Sequence, residues 1–546
     1  MPSLKKPAAA IAGVAVVAVV LAGCTPGQAN NDEDVITIFA PQDASTDLET
    51  NVFTKAIEEK FDVDLKFQTT TYDGGAAAEA RQISLASGDY PDAYMLIPWV
   101  NQFSPSELLK LGKQGAILPL NDLIDEYAPN IKSAWSDWPA AEQLATTPDG
   151  TIYGIPQWND CYHCSYPSKL WMNTQWLETL GLDVPKTTDD LFAVLTAFKT
   201  QDPNGNGVAD EIPLTGSVYD SVVPFVMDAF IANNWHGGAA GQPLSLGLDG
   251  DTVQLQPAQD GWRDGLDYLH RLWENGLIDE SAFSQDSTAL VAKNSGEGEP
   301  VTGAYNGNNP WGFIQVGMDD ARDTQYDAIA PLVGAEGQVA TYIQPGTPGA
   351  TFVITKAASE EKQKKLIEIL DYLYTTEGQL AGQYGPEGVN WLKPVDGDVA
   401  LDENLEPLYK RVPADPDNKE MANTSWAAIA QYNSNATFRN SEVQPLDIYS
   451  PEGFERRLFE ATKLYDGLQS DASFPYWNVW VPEEDSAELS TLQTNVETFI
   501  TTSAAEFITG SKDIGDDAAW TAYLDGLEGL GAPRYIEIWQ NAYDAS

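Results

Sequence analysis

The sequence predicts an α/β fold in which a mainly parallel sheet is covered by helices. Residues 35–40, Val-Ile-Thr-Ile-Phe-Ala, form a continuous apolar run, as a strand buried on both faces reads. Two more strand patterns follow closely, the alternating residues 63–67 and the apolar residues 94–97. Helical patterns over residues 49–61 and 76–87 separate them, the second stopped by Gly88. Strand, helix, strand, helix, strand is the order parallel pairing needs, because each parallel return requires a crossover.

Ahead of the first strand, Lys5 and Lys6 precede an apolar run from Ala8 to Leu21. That run is shorter than the roughly 20 residues of a spanning helix, so it reads as an export signal. It closes on Leu21-Ala22-Gly23-Cys24, which resembles the lipobox of bacterial lipoproteins. The resemblance implies cleavage after residue 23, diacylation of Cys24 and a cell-membrane location on the extracellular face. Residues 24–34 are small, polar and acidic, and suit a flexible tether.

The remaining 523 residues are long enough for two domains and a large core. The chain holds 30 Lys plus Arg against 81 Asp plus Glu, a formal net charge of −51. Such a field repels nucleic acid, anionic lipid and polyanionic ligands, and leaves neutral or cationic ligands favoured. With Cys24 assigned to the lipid, Cys161 and Cys164 remain as an even pair in an oxidising compartment.

Further along, Ala86-Ser87-Gly88-Asp89-Tyr90-Pro91-Asp92-Ala93 resembles a signature of the extracellular solute-binding proteins of ABC importers. Residues 148–156, Leu170-Trp171-Met172-Asn173, Val184-Pro185-Lys186-Thr187, residues 351–356 with 372–374, residues 384–388 and the C-terminal stretch from Phe507 are similar to the sugar-binding branch of that family. The resemblance implies a two-lobed periplasmic-binding-protein-like fold, each lobe a mainly parallel sheet flanked by helices, joined by a hinge. Its lobes are expected at residues 35–156 plus 346–394 and 157–345 plus 395–546.

Asp202-Pro203-Asn204-Gly205-Asn206-Gly207-Val208-Ala209-Asp210-Glu211 places oxygen side chains at loop positions one, three and five, with glycine at six. Ca²⁺ takes six to eight hard oxygens, and this spacing aims alternate side chains inward. The expected ligands are Asp202, Asn204, Asn206, the Val208 carbonyl, Asp210 and Glu211, the last two replacing the glutamate an EF-hand carries at position twelve. The loop resembles the calcium loop of large oligosaccharide-binding proteins, which implies a structural role. Cys161-Tyr162-His163-Cys164 reads as a local disulfide, since neither His236 nor His270 completes a second zinc-ligand pair.

A sugar ring presents an apolar face to aromatic rings and a rim of hydroxyls to amides and carboxylates. Loop aromatics beside such groups are therefore candidate ligand contacts: Trp158 with Asn159 and Asp160, Trp235, Asn306 and Asn308 with Trp311, and Trp426. Gln42 and Asp43 join them because the resemblance places the first strand-to-helix turn in the cleft. Trp262, Trp273, Trp520 and Trp539 sit in helical patterns and are assigned to packing. No nucleophile elbow, zinc-protease helix or phosphate loop occurs, so catalysis is not expected. The expected function is a monomeric, lipid-anchored protein that captures an oligosaccharide by hinge closure and delivers it to ABC permease subunits. The alternatives are a surface sensor or peptide-binding lipoprotein of the same fold and, further off, a glycoside hydrolase.

Overall fold

A computed structural model describes residues 34–235, 245–296, 298–318, 321–335, 337–346, 348–415 and 417–546. The signal, Cys24, most of the tether and His236 lie outside the described residues. Nine strands position the site: β1 (Val35–Pro41), β2 (Asp64–Thr70), β3 (Ala93–Met95), β4 (Trp158–Asn159), β5 (Lys169–Asn173), β6 (Ala304–Gly307), β7 (Tyr326–Ile329), β8 (Phe352–Ile354) and β9 (Asn433–Ser434). Among the described residues no helix is long and apolar enough to cross a membrane.

The first sheet has the order β8-β3-β1-β2. β1 pairs in parallel with β2, Ile38 opposite Phe67, and with β3, Ile38 opposite Ala93. β8 arrives from about 250 residues further along the chain and pairs antiparallel with β3. The helix Val52–Phe61 follows β1 and starts where the Asn51 side chain accepts from Phe53 N. Gly74–Ser87 follows β2, starts on Asp73 and ends at Gly88, as expected. Both N-termini differ by two or three residues from the sequence pattern because Asn51 and Asp73 satisfy the free backbone N–H groups.

The second sheet departs from the parallel expectation at its centre. β5 pairs antiparallel with both β6 and β7, while single parallel bridges, Thr215 to Tyr305 and Leu214 to Ile278, extend the sheet outward. All five residues of β5 are buried. A strand buried on both faces reads the same in either direction, so its sequence could not announce the pairing.

Two main cores result. One gathers Ile36, Ile38, Leu65, Ile124, Leu366, Leu370, Trp426 and Tyr432. The other gathers Leu195, Phe198, Leu266, Leu269, Val496, Ile500, Phe507 and Tyr535, with Trp262, Trp520 and Trp539 inside it and Trp273 against it. Residues 426–432 thus pack with the first core, beyond the boundary expected near Pro394. The chain passes between the cores near Ile155, near Pro345 and after Ser434. These crossings are hydrogen-bonded side by side: β4 pairs in parallel with β9, Asn159 N donates to Pro345 O, and Ile155 N to Phe352 O. A further link comes from the C-terminal section, where Trp477 touches both cores and Lys113 pairs with Glu483 at 3.0 Å.

Candidate functional site

In sheets of this kind ligands collect at the carboxyl ends of the strands, where turns replace regular hydrogen bonding. β1 runs directly into Gln42 and Asp43. Gln42 N donates to Thr70 O at 2.7 Å and its Oε1 accepts from Leu48 N, which holds the turn closed. Asp43 accepts from Ser45 N, Ser45 Oγ and Thr46 Oγ1. Burial raises its pKa, but these hydrogen bonds outweigh burial and hold it below the ordinary carboxylate value. Beyond β2, Tyr72 is pushed up to about 12 by burial and then by the Asp43 charge, so the two side chains share this end of the sheet.

After β3 the chain turns through Pro98 and Trp99, and Trp99 is 60% exposed. Val100 N and Asn101 N both donate to Ile97 O, closing the turn that carries it. Arg81, buried, donates to Asn101 Oδ1 and to both oxygens of Glu107, and so pins the turn from below. A rigidly held, exposed indole at a strand end is the arrangement a sugar face requires.

The second sheet repeats the device. The parallel segment around Thr215 and β6 end in neighbouring loops, one bearing Tyr219 and the other Asn308 and Trp311. Tyr219 and Trp311 are each 57% exposed. Asn309 Oδ1 accepts from Trp311 N, and Pro310 starts the short turn beneath the indole. Gly312 lets this turn close on the sheet, because a Cβ there would meet Tyr305 Oη and lie 3.0 Å from Asp220 Oδ2. Asp220 is raised by burial while its bond with Tyr305 works the other way. Trp311 leans on Phe454 with ring centroids 4.9 Å apart. Phe454 in turn walls a cavity of about 310 Å³ with Met318, Tyr449 and Arg457. Arg457 is spent on the structure: it donates to Asp323 Oδ2, Asp323 O and Tyr326 O.

Four of the residues expected from the sequence therefore stand at strand ends: Gln42 and Asp43 on one sheet, Asn308 and Trp311 on the other. The others are buried or hydrogen-bonded within the protein. Trp426 is 2% exposed, donates to Thr54 Oγ1 at 2.8 Å and meets Phe53 edge-on. Trp158 is buried in the first core, and Trp235 packs 5.8 Å from Trp262. Asn306 is buried and donates to Ser221 O, tying β6 to the loop that carries Tyr219. Asn159 donates to Gln431 Oε1 and accepts from Arg439 Nη1, while Asp160 accepts from Ala436 N, so both brace the crossings. Burial raises the pKa of Asp160. An amide beside one of these aromatics makes a local turn: Asn233 Oδ1 accepts from Trp235 N. Trp99, Tyr72 and Tyr219, which also stand at these strand ends, were not singled out from the sequence; a Pro-Trp pair straight after a strand was a readable signal for the first.

Cys161 and Cys164 form a disulfide, as expected, with Cα atoms 5.1 Å apart. The 202–211 loop folds on itself: Asp202 accepts from Gly207 N, Asn206 Oδ1 from Val208 N, and Asp210 from the amides of Asn204 and Asn206. Glu211 Oε1 is buried and has no hydrogen-bond partner among the described residues. Its pKa is raised by burial first and then by the charges of Asp210 and Asp202. Crowded hard oxygens with one orphaned carboxylate oxygen fit a divalent cation such as Ca²⁺.

The chain is 29% identical over 483 residues to the fructooligosaccharide ABC transporter substrate-binding protein FusA of Streptococcus pneumoniae serotype 4, covering 86% of this chain and 82% of FusA. It is 26% identical to lipoprotein LipO of Bacillus subtilis, over 68% of this chain and 72% of LipO. Solved structures of S. pneumoniae FusA with kestose, and of its EF-hand mutant with fructo-nystose, match at 25% identity and a TM-score of 0.69, over 93% of this chain and 99% of theirs. An extracellular solute-binding protein of Bifidobacterium longum subsp. infantis shares the fold, with a TM-score of 0.74 at 22% identity over 94% of this chain and 98% of its own. The two-lobed architecture expected from the sequence is thus the architecture observed. Residues 45–380 match the family of bacterial extracellular solute-binding proteins, and these bind rather than transform their solutes. This chain belongs to that family.

Proposed function

We propose that this protein captures a neutral oligosaccharide, of the fructose-containing type that FusA is named for, between the two sheet ends and passes it to an ABC permease. The observation that carries the reading is the pairing of exposed, rigidly mounted indoles, Trp99 on one sheet and Trp311 on the other. Each would cover a sugar face, while Asp43 and Asn308, at strand ends of the same two sheets, would meet the hydroxyl rim. A ligand touching both lobes favours the closed form because only that form satisfies both sets of contacts. The side-by-side crossings at β4 and β9 suit such a hinge.

Two attachments complete the proposal. Ca²⁺ would be held by Asp202, Asn204, Asn206, Val208, Asp210 and Glu211, neutralising crowded carboxylates and stiffening the loop. Diacylated Cys24 would keep the binder at the membrane, where tethering raises its effective concentration near the permease. The acidic surface supports a neutral ligand over a uronate polymer.

Isothermal titration with kestose, nystose, oligogalacturonate and a tripeptide mixture tests the substrate class, with small-angle scattering of each mixture. Heat with a neutral fructan and a smaller radius of gyration is expected. Heat with peptide or uronate and none with any neutral oligosaccharide would remove the reading. Chelation tests the cation: at Ca²⁺ one hundred times its Kd, removal should cost about 2.7 kcal/mol of stability. An unchanged melting curve after chelation would end the calcium claim.

A further inference from the structure

The loop at Cys161–Cys164 holds more than a crosslink. The sulfurs of Cys161 and Cys164 and a ring nitrogen of His163 lie within 4.8 Å of one another. His163 Nε2 is 3.5 Å from Cys161 Sγ, and its Nδ1 is 3.1 Å from Glu455 Oε1. An imidazole with one nitrogen at sulfur ligands and the other on a carboxylate is the arrangement that orients histidine toward zinc. Two sulfurs and one imidazole are also a known zinc donor set that leaves a fourth position open.

Contacts other than the bridge also hold this loop. Cys164 N and Ser165 N both donate to Cys161 O. Lys169, fully buried, donates from Nζ to His163 O at 2.7 Å and to Tyr166 O at 2.6 Å, clamping the chain from beneath. Glu455, which also faces Arg439 at 3.8 Å, anchors His163 from the helix Phe454–Thr462. A bridge that closes so short a loop restricts the unfolded chain little, so opening it leaves most of the loop's support in place. Cys164 is partly exposed, and a cavity of about 190 Å³ opens beside Tyr162, His163 and Glu455, which gives an ion a route in.

We propose that this loop is a redox-gated zinc site beside the crossings: closed to metal as the disulfide, and competent for Zn²⁺ once a dithiol reductant opens it. In the gating step the Cys161–Cys164 bond breaks, the reductant's two thiols become its own disulfide, and the protein gains two thiols. Zn²⁺ then binds both sulfurs and His163 Nε2, with release of the two thiol protons. Glu455 acts as a positioning residue through Nδ1.

The test uses the full chain, oxidised or reduced with dithiothreitol and desalted anaerobically, titrated with Co²⁺. Reduced protein should develop a thiolate-to-cobalt charge-transfer band that saturates at one equivalent and is bleached by Zn²⁺. Co²⁺ on surface carboxylates gives no such band, so the acidic surface cannot imitate the result. Oxidised protein and the Cys161→Ser/Cys164→Ser variant should stay silent. Glu455→Gln should keep the band but weaken affinity roughly 10- to 100-fold, with unchanged circular dichroism. No band in folded, reduced wild-type protein, or a band that survives the double substitution, would overturn the proposal.

Discussion

Two tryptophans of similar sequence setting have opposite surroundings, and substitution should separate them. Trp99 stands free on a pinned turn, whereas Trp426 is closed inside the first core. Trp99→Ala should weaken oligosaccharide binding at least roughly tenfold, about 1.4 kcal/mol, with unfolding unchanged. Trp426→Ala should do the reverse, costing about 3–5 kcal/mol in urea unfolding through its cavity and the lost bond to Thr54. Equal effects of the two on stability would contradict this division. Asp43 gives a pH expectation. Its pKa lies below 3.8 in the folded chain because the hydrogen bonds from Ser45 and Thr46 outweigh burial. Its contribution is therefore complete above the unfolded value and lost as pH falls through the folded one. Titrations between about pH 5 and 8 should show no change in affinity traceable to Asp43. Asp43→Asn should lower affinity across that range, and a wild-type affinity that climbs through pH 5 to 8 in step with Asp43 would count against the assignment.

At the scale of elements, the crossings decide how the lobes are joined. The return segment before β8 passes so close to the first lobe that Gly349, at φ 126°, has room for no side chain. A Cβ there would lie 2.2 Å from Phe103 O. Because both the backbone angle and the contact with another main chain oppose a side chain, Gly349→Ala should cost roughly 2 kcal/mol or more. Denaturant unfolding measures this directly, and a neutral result would mean the segment is not held as described. The expected boundary near Pro394 failed for a related reason. That stretch has loop composition, but the chain goes on to place Trp426, Ile429 and Tyr432 into the first core before leaving it at β9. Composition marks where regular structure stops, and contact with a core decides which lobe a segment serves.

For the whole molecule, charge dominates solution behaviour. A net charge of −51 on 546 residues makes ionic strength a strong variable for any charged ligand and a weak one for a neutral ligand. Fructan affinity should therefore stay within about twofold between low salt and several hundred millimolar, whereas a cationic ligand should lose affinity steeply. Calorimetry at three salt concentrations checks this, and a steep slope for a neutral sugar would point to charged contacts absent from the site described. The long C-terminal section packs against the second lobe and reaches the first. Its helix Glu483–Ile508 buries Val496, Ile500 and Phe507 in the second core, and Trp477 just before it touches both cores.

Much was legible in the amino-acid order because it is local. β1 to β3 with their helices and the Cys161–Cys164 pair depend on residues a few positions apart. Apolar runs, caps and turn glycines act over such distances, so they determined the fold class and the family resemblance. Strand direction around β5, the core that residues 426–432 join, and the surroundings of Trp99, Trp158 and Trp426 were decided elsewhere. These depend on which distant segment arrives alongside: Gln431 and Arg439 on Asn159, Thr54 on Trp426, and an exposed surface at Trp99. An indole reads the same in sequence whether it is packed or exposed, because its surroundings come from contacts made hundreds of residues away.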